Sequence, residues 1–228
     1  GIDSSLFNLS FDGLNAVITS SQKDYELPED SDSNNVYLFN VNFSDDLNTT
    51  SQEVEISITN VNDNDPVITS SDSFTVPENQ QSVATISATD ADNDALSFSI
   101  SGLDAAAFSI ADTGNLTLNE NANFEVQNSY SLIVTVTDGL YSAVSTLTVN
   151  ISDVNESPLF GAIASEISVD ENITISFGSI TASDEDGDIL SYTLTGEDAS
   201  ALSINSEGKV SFADSPDFEN PADSDKDN

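Results

Sequence analysis

The chain has 228 residues, room for one or two ordinary domains, and its 37% hydrophobic residues are enough for small cores but not for one large one. It carries 41 acidic residues against three lysines, with no arginine or histidine, so the formal charge of −38 argues against nucleic acid and anionic membrane surfaces and makes a cation the natural partner. The lack of cysteine and histidine removes disulfides, thiolate zinc sites and Ser-His-Asp or Cys-His chemistry, and no apolar run approaches the ~18 residues of a membrane span.

Read from its start, the chain opens on Gly1-Ile2-Asp3-Ser4-Ser5-Leu6-Phe7, a Gly-x-Asp turn. Tyr37, Phe39, Val41 and Phe43 then alternate, followed by Val54, Ile56 and Ile58, the period of two of half-buried strands. Asn60-Val61-Asn62-Asp63-Asn64-Asp65-Pro66 ends in a proline that a strand interior does not tolerate, so it reads as a joint.

After the joint, an edge strand is expected near Phe74 to Val76. Ser82 to Ala88 follows, then Leu96–Phe98–Ile100, Phe108–Ile110 and Leu116–Leu118. Tyr130, Leu132, Val134 and Val136 give the cleanest alternation, and Leu147, Val149 and Ile151 close the set. Turn signals such as Thr113-Gly114-Asn115 and Asp138-Gly139 separate these runs, and no segment keeps a helical period. Asp153-Val154-Asn155-Glu156-Ser157-Pro158 then returns as a shorter copy of the joint, about ninety residues after the first.

Other stretches return at the same offset. The Gly-x-Asp turn recurs at Gly102-Leu103-Asp104 and Gly196-Glu197-Asp198, and Val76-Pro77-Glu78-Asn79 recurs as Val169-Asp170-Glu171-Asn172. Asp90-Ala91-Asp92-Asn93-Asp94 recurs as Asp184-Glu185-Asp186-Gly187-Asp188. Three repeats are expected, at 1–65, 66–157 and 158–228. The first should lack its opening strands and the third its last two, leaving both less stable than the middle one. Seven short strands in a complete repeat predict an all-β fold of tandem immunoglobulin-like Greek-key β-sandwiches.

An odd number of strands brings the chain in at one end of a sandwich and out at the other, so copies stack with the linker between them. At the second joint, Glu78, Glu125, Asp153, Glu156, Asp184 and Asp186 come from separate chain positions, with Asn123 beside them. Two bare charges ~4 Å apart repel by about 4 kcal/mol at an effective dielectric of ~20, so such a cluster needs a cation. Calcium fits best. It accepts six to eight oxygens in a flexible shell, whereas magnesium wants stricter geometry and softer metals want nitrogen or sulfur.

The ordered set of motifs resembles cadherin repeats, especially the bacterial cadherin-like type. The family's Pro-Glu-Asn is Pro77-Glu78-Asn79, with Asp170-Glu171-Asn172 in the next copy. Its Asp-x-Glu is Asp24-Tyr25-Glu26, Asn123-Phe124-Glu125 and Asp217-Phe218-Glu219. Its Asp-x-Asn-Asp-Asn-x-Pro linker is Asn60 to Pro66, its Asp-x-Asp is Asp90-Ala91-Asp92 and Asp184-Glu185-Asp186, and its late turn is Asp45 and Asp138. The resemblance implies calcium ions at each joint. For the first it implies Asp24, Glu26, Asn60, Asn62, Asp63, Asn64, Asp90, Asp92 and Asp138; for the second, Glu78, Glu125, Asp153, Asn155, Glu156, Asp184 and Asp186. The second linker is one residue shorter, with Glu156 and Ser157 in place of Asp-Asn and Asn123 in place of an aspartate, so fewer or weaker ions are expected there.

Plainer readings fail on particular residues. An EF-hand loop starting at Asp184 needs glycine sixth and glutamate twelfth, where Ile189 and Thr195 stand. Asp94 and Asp188 serve equally well as turn caps. No enzymatic activity is expected, because with 41 acids a chance glycosidase-like pair carries no weight and tryptophan is absent. The resemblance implies an extracellular or cell-surface parent, secreted or membrane-anchored, whose calcium-stiffened rod serves cell adhesion toward other cell-surface proteins or glycans. A carbohydrate-binding module of a secreted polysaccharide-active enzyme is the alternative, and requires an exposed row among Tyr37, Tyr130, Tyr141 and Tyr192. A passive spacer is the third.

Overall fold

The computed structural model describes residues 2–11, 15–45, 47–162, 164, 166–172, 178–221 and 223–224. Its regular structure is strand, with three single 3-10 turns at Ser4–Leu6, Ala105–Ala107 and Ala199–Ala201 among the described residues. The chain divides into two compact units, one of Gly1–Val76, Gln80–Ala122 and Ser129–Asn150, the other of Pro77–Asn79, Asn123–Asn128 and Ile151–Asn228. These units do not follow the sequence repeats. The first joint lies wholly inside the first unit and the second joint wholly inside the second.

In the first unit, strands β1 (Phe7–Phe11) and β2 (Ala16–Ser20) pair antiparallel, and β3 (Val36–Ser44) and β4 (Thr49–Ser57) form a nine-residue ladder. Phe7 packs edge-on to Tyr37 at 5.6 Å between ring centres and lies 4.8 Å from Phe39, which anchors this small core. Next come β5 (Val67–Ile68), β6 (Ser73–Pro77), β7 (Ser82–Thr85), β8 (Ala88–Thr89), β9 (Ser97–Ser101), β10 (Phe108–Ile110), β11 (Asn115–Leu118), β12 (Ser129–Thr137) and β13 (Ser142–Ser152). They make a four-stranded sheet in the order β6-β13-β12-β9, a three-stranded sheet β10-β11-β7, and the pair β5-β8.

The alternation of β12 explains this sandwich. Leu132, Val134 and Val136 are at most 2% exposed, while Ser131 and Ile133 between them face out. Val76, Ile86, Phe108, Leu116, Leu118, Leu147 and Val149 complete the buried set, so most of the core lies in the middle repeat.

The run expected as one strand over Ser82 to Ala88 breaks at Ile86 and Ser87. The Ile86 N–H donates to the Gly114 carbonyl at 2.8 Å, and the Ser87 carbonyl accepts from Thr69 at 2.8 Å. The segment therefore leaves β11 as β7 and pairs with β5 as β8. Gly114 has φ +82, and a Cβ there would stand 2.2 Å from the Ile86 carbonyl oxygen, so glycine is what permits the close approach.

In the second unit, β14 (Leu159–Phe160) pairs with β16 (Ala182–Ser183), and β15 (Gly178–Ser179), β18 (Lys209–Phe212) and β17 (Leu202–Ile204) form a small sheet. Leu190, Tyr192 and Leu194, counterparts of Leu96, Phe98 and Ile100, adopt no strand. In the middle repeat, that strand is held only by β12.

Candidate metal centres

Not every repeated acid is a candidate ligand. Asp3, 5% exposed, accepts the Leu38 N–H at 3.0 Å; Asp104 accepts the Ser131 N–H and Asp198 the Ser224 N–H, each at 2.8 Å. The acids of the three Gly-x-Asp turns thus pin the turn to a later segment.

The first joint is organised by Asp92, which is 3% exposed. Its Oδ2 accepts the N–H groups of Asp63 at 3.1 Å and Asn64 at 2.8 Å, and its Oδ1 accepts the Asn64 amide at 3.0 Å. The Asn60 amide donates to the Asp92 carbonyl at 2.7 Å. The linker is so strapped to the Asp90–Asp94 loop that acids from three chain segments meet. Glu26, Asp63 and Asp92 offer oxygens within 4.8 Å of one another, and so do Asp90, Asp92 and Asp94. Asp92 belongs to both groups.

Asp138 stands nearby in bonding terms. Its Oδ1 accepts from Leu140 and Tyr141, both at 2.7 Å, and the nearby Asn62 side chain helps to hold its carboxyl low. Asp24 uses Oδ1 to close its own turn, accepting from Glu26 at 3.0 Å and Leu27 at 3.2 Å, and joins neither group. Within this joint Glu26 Oε1, Asn62 Oδ1, Asp90 Oδ2, Asp94 Oδ2 and Asp138 Oδ2 are buried without a hydrogen-bond partner. Buried acceptors left bare are costly, and carboxylates more so.

The second joint repeats the plan with a different clamp. Glu78, 4% exposed, accepts the Phe124 N–H on Oε2 and the Val154 N–H on Oε1, both at 2.8 Å. The Glu156 N–H donates to Asp186 Oδ2 at 2.8 Å, the bond that Asp63 makes to Asp92 in the first joint. Glu78, Glu125 and Glu156 converge within 4.8 Å, as do Glu125, Asp153 and Asp186. Glu156 Oε2 and Asp186 Oδ1 are buried and without partner.

Other expected ligands of this joint are otherwise engaged. Asp184 joins neither group and accepts the Asp188 N–H at 3.2 Å. The Asn155 amide donates to the Glu156 carbonyl at 2.6 Å. Asn123 caps Val126 at 2.7 Å, and its amide bonds Glu185.

Electrostatics follow from this crowding. Burial pushes the Glu26 carboxyl up against its own backbone bond, with the Asp92 and Asp24 charges adding to the rise. Burial also raises Glu125, together with the charges of Glu78, Asp153 and Asp186. Asp153 is raised by burial and by sharing a hydrogen bond with the Asp186 carboxyl, and Glu156 by burial, opposed by the Asn79 amide. Burial works upward on Asp92 too, but the Asn64 side chain and the Asn64 and Asp63 N–H groups outweigh it and hold the carboxyl low. Asp138 is low for the same kind of reason, its burial outweighed by the Tyr141 and Leu140 N–H groups.

Two groups extend beyond the ligand sets expected from the sequence. Asp94, for which turn capping and metal binding are equally good readings of the sequence, sits with Asp90 and Asp92, in line with the Asp-x-Asp-x-Asp spacing. Glu171, Asp217 and Glu219, all exposed, form a third group within 4.8 Å, with the Phe218 N–H on Glu171 Oε2 at 3.1 Å. These are the counterparts of Glu78, Asn123 and Glu125. The four tyrosines that an exposed aromatic row requires are mostly covered. Tyr37 is wholly buried, Tyr130 packs edge-on against Phe108 at 5.3 Å, Tyr192 is half-buried and Tyr141 is 37% exposed.

Residues 72–152 match the profile of the cadherin domain. The chain is 34% identical over 151 residues to the Fat-like cadherin-related tumor suppressor homolog of Drosophila melanogaster, covering 61% of this chain but only 3% of that protein. Among solved structures, mouse cadherin-23 EC22-24 superposes with a TM-score of 0.55 at 21% identity, covering 94% of this chain and 74% of the other. Mouse protocadherin-24 EC1-3 gives 0.56 at 21% identity, covering 96% and 76%.

Proposed function

We propose that the chain is built of cadherin repeats whose two joints bind calcium ions that stiffen tandem repeats of an extracellular adhesion protein, a reading supported by the cadherin-domain match over residues 72–152 and the likeness to the Fat-like cadherin. The repeats are taken as 1–65, 66–157 and 158–228, so each joint lies where one repeat passes to the next. The observation that carries this reading is the set of bare, buried oxygens. One side-chain oxygen each of Glu26, Asn62, Asp90, Asp94 and Asp138 at the first joint, and of Glu156 and Asp186 at the second, is buried without a hydrogen-bond donor. A chain with three lysines and no arginine has almost no cation of its own to place there. Calcium supplies the missing partner, since it accepts carboxylate, amide and carbonyl oxygens together in an irregular shell.

At the first joint Glu26, Asp63, Asp90, Asp92 and Asp94 are the core ligands, with Asn60, Asn62, Asn64, Asp138 and Asp24 around them. At the second they are Glu78, Glu125, Asp153, Glu156 and Asp186, with Asn155 and Asp184 outside. Glu171, Asp217 and Glu219 form a third, exposed set of the same kind. The action is charge neutralisation: the ion replaces repulsion among carboxylates with shared coordination and removes hinge freedom at the linker. The role is structural, not enzymatic, and the partners are other cell-surface proteins or glycans. Calorimetric titration tests it. Saturable calcium heats, weaker with magnesium and reduced in Asp92→Asn, support the reading; a flat titration leaves the acids as a solvated surface and overturns it.

A further inference from the structure

The loop behind the first joint is longer than its counterpart. Eleven positions carry the chain from Glu26 to Tyr37, and five carry it from Glu125 to Tyr130. The extra length is folded by Asp30, 5% exposed, whose carboxylate accepts the N–H groups of Asn34 at 2.8 Å and Asn35 at 3.3 Å. Asn35 ends the loop with φ +62, a left-handed conformation that asparagine and glycine tolerate, and is 8% exposed.

The bonds of Asn35 reach both arms of the joint. Its amide donates to the Tyr25 carbonyl at 2.9 Å, and Tyr25 lies between Asp24 and Glu26. Its carbonyl accepts the Ile58 N–H at 2.9 Å, two residues before Asn60. The backbone half of this bridge recurs in the middle repeat, where the Asn128 carbonyl accepts the Ile151 N–H at 2.9 Å. There, however, Glu78 ties the arm to the linker through Phe124 and Val154.

We infer that Asn35 is a positioning residue of the first metal centre, holding the Asp24-x-Glu26 arm in register with the Asn60–Asn64 linker through its side-chain amide N–H and its backbone carbonyl. The inference rests on the calcium reading above. A group that only orients ligands typically changes metal affinity by about 10–100-fold.

Asn35→Gly isolates the role, since glycine keeps the positive φ and the carbonyl bond to Ile58 and loses only the amide. Terbium is the probe. Tyr25 sits between two ligands of the first joint, and the Tyr141 N–H bonds Asp138, whereas the second joint has Phe124 in the equivalent place. Tyrosine-sensitised emission therefore reports the first centre, and calcium competition gives its affinity. The expected result in Asn35→Gly is about tenfold weaker binding at this centre, unchanged calorimetric heats from the second joint, and a calcium-free melting temperature near that of the parent. Parent-like affinity in Asn35→Gly, with or without a lower calcium-free melting temperature, makes Asn35 merely structural and overturns this inference alone. Absence of saturable emission from the parent chain overturns the calcium reading and this inference with it.

Discussion

Asp92 belongs to both acid groups of the first joint, and that sharing sets a measurable inequality. Two independent calcium sites at a hundred times their Kd stabilise a fold by roughly 5 kcal/mol. For a unit of this size that is a rise in melting temperature of about 10–20 °C between chelator and calcium. Glu26→Gln disables only the group with Asp63 and Asp92, and Asp94→Asn only the group with Asp90 and Asp92, so each should remove about half of the rise. Asp92→Asn disables both and should remove nearly all of it. The substitution also sets an amide against donors from Asp63 and Asn64, so calcium-free stability falls as well; the quantity that counts is the calcium-dependent difference. Tyrosine fluorescence follows the first unit, which holds Tyr25, Tyr37, Tyr130 and Tyr141 of the five tyrosines. An Asp92→Asn chain that keeps more than half of the parent's calcium rise refutes the shared-ligand geometry.

Acidity should act with opposite sign in the two states. Glu26, Glu125, Asp153 and Glu156 are raised, so the folded chain binds more protons than the unfolded one; their contribution is present at low pH and lost as pH rises through the raised values. Calcium-free protein should therefore melt higher as pH falls from neutrality toward the upper edge of the carboxylate range. Asp92 and Asp138, held low, keep stabilising until pH drops below that range. With calcium the trend reverses, because ligands must be deprotonated; melting curves against pH with calcium and with chelator check this. Leu132→Ala, at a site with no exposure, should cost about 2–5 kcal/mol in urea unfolding, whereas Phe160→Ala, at 78% exposure, should stay within about 0.5 kcal/mol. Gly114→Ala should destabilise by at least about 1–2 kcal/mol in the same assay, because φ +82 and the Ile86 carbonyl both oppose a Cβ.

Much of the fold was legible because burial imposes a period of two. Tyr130 to Val136 alternate in sequence and in exposure, and the register of β12 against β13 and β9 follows from that face. The break at Ile86 and Ser87 was not legible, since it depends on Gly114, which arrives from nearly thirty residues away. At the joints, motif spacing pointed to Glu26, Asp63, Asp90 and Asp92 and to Glu78, Glu125, Asp153, Glu156 and Asp186, which lie close together, but not to the oxygen each one spends. Asp24 and Asp184 commit one oxygen to capping their own turns, and Asn60 turns its amide toward the Asp92 carbonyl. Asp94 shows the reverse, a residue whose spacing fits a turn cap and a ligand equally well and that three-dimensional crowding places among acids. Asn35 carried no signal at all, because its role comes from two hydrogen bonds to backbone groups of distant segments.

Small-angle scattering on the intact chain, in calcium and then in excess chelator, tests the locking of the joints most directly. If divalent ions seal the linkers, calcium gives a narrow distribution of dimensions, and chelation broadens it and raises the flexibility of the profile. Superimposable curves in the two conditions contradict the account.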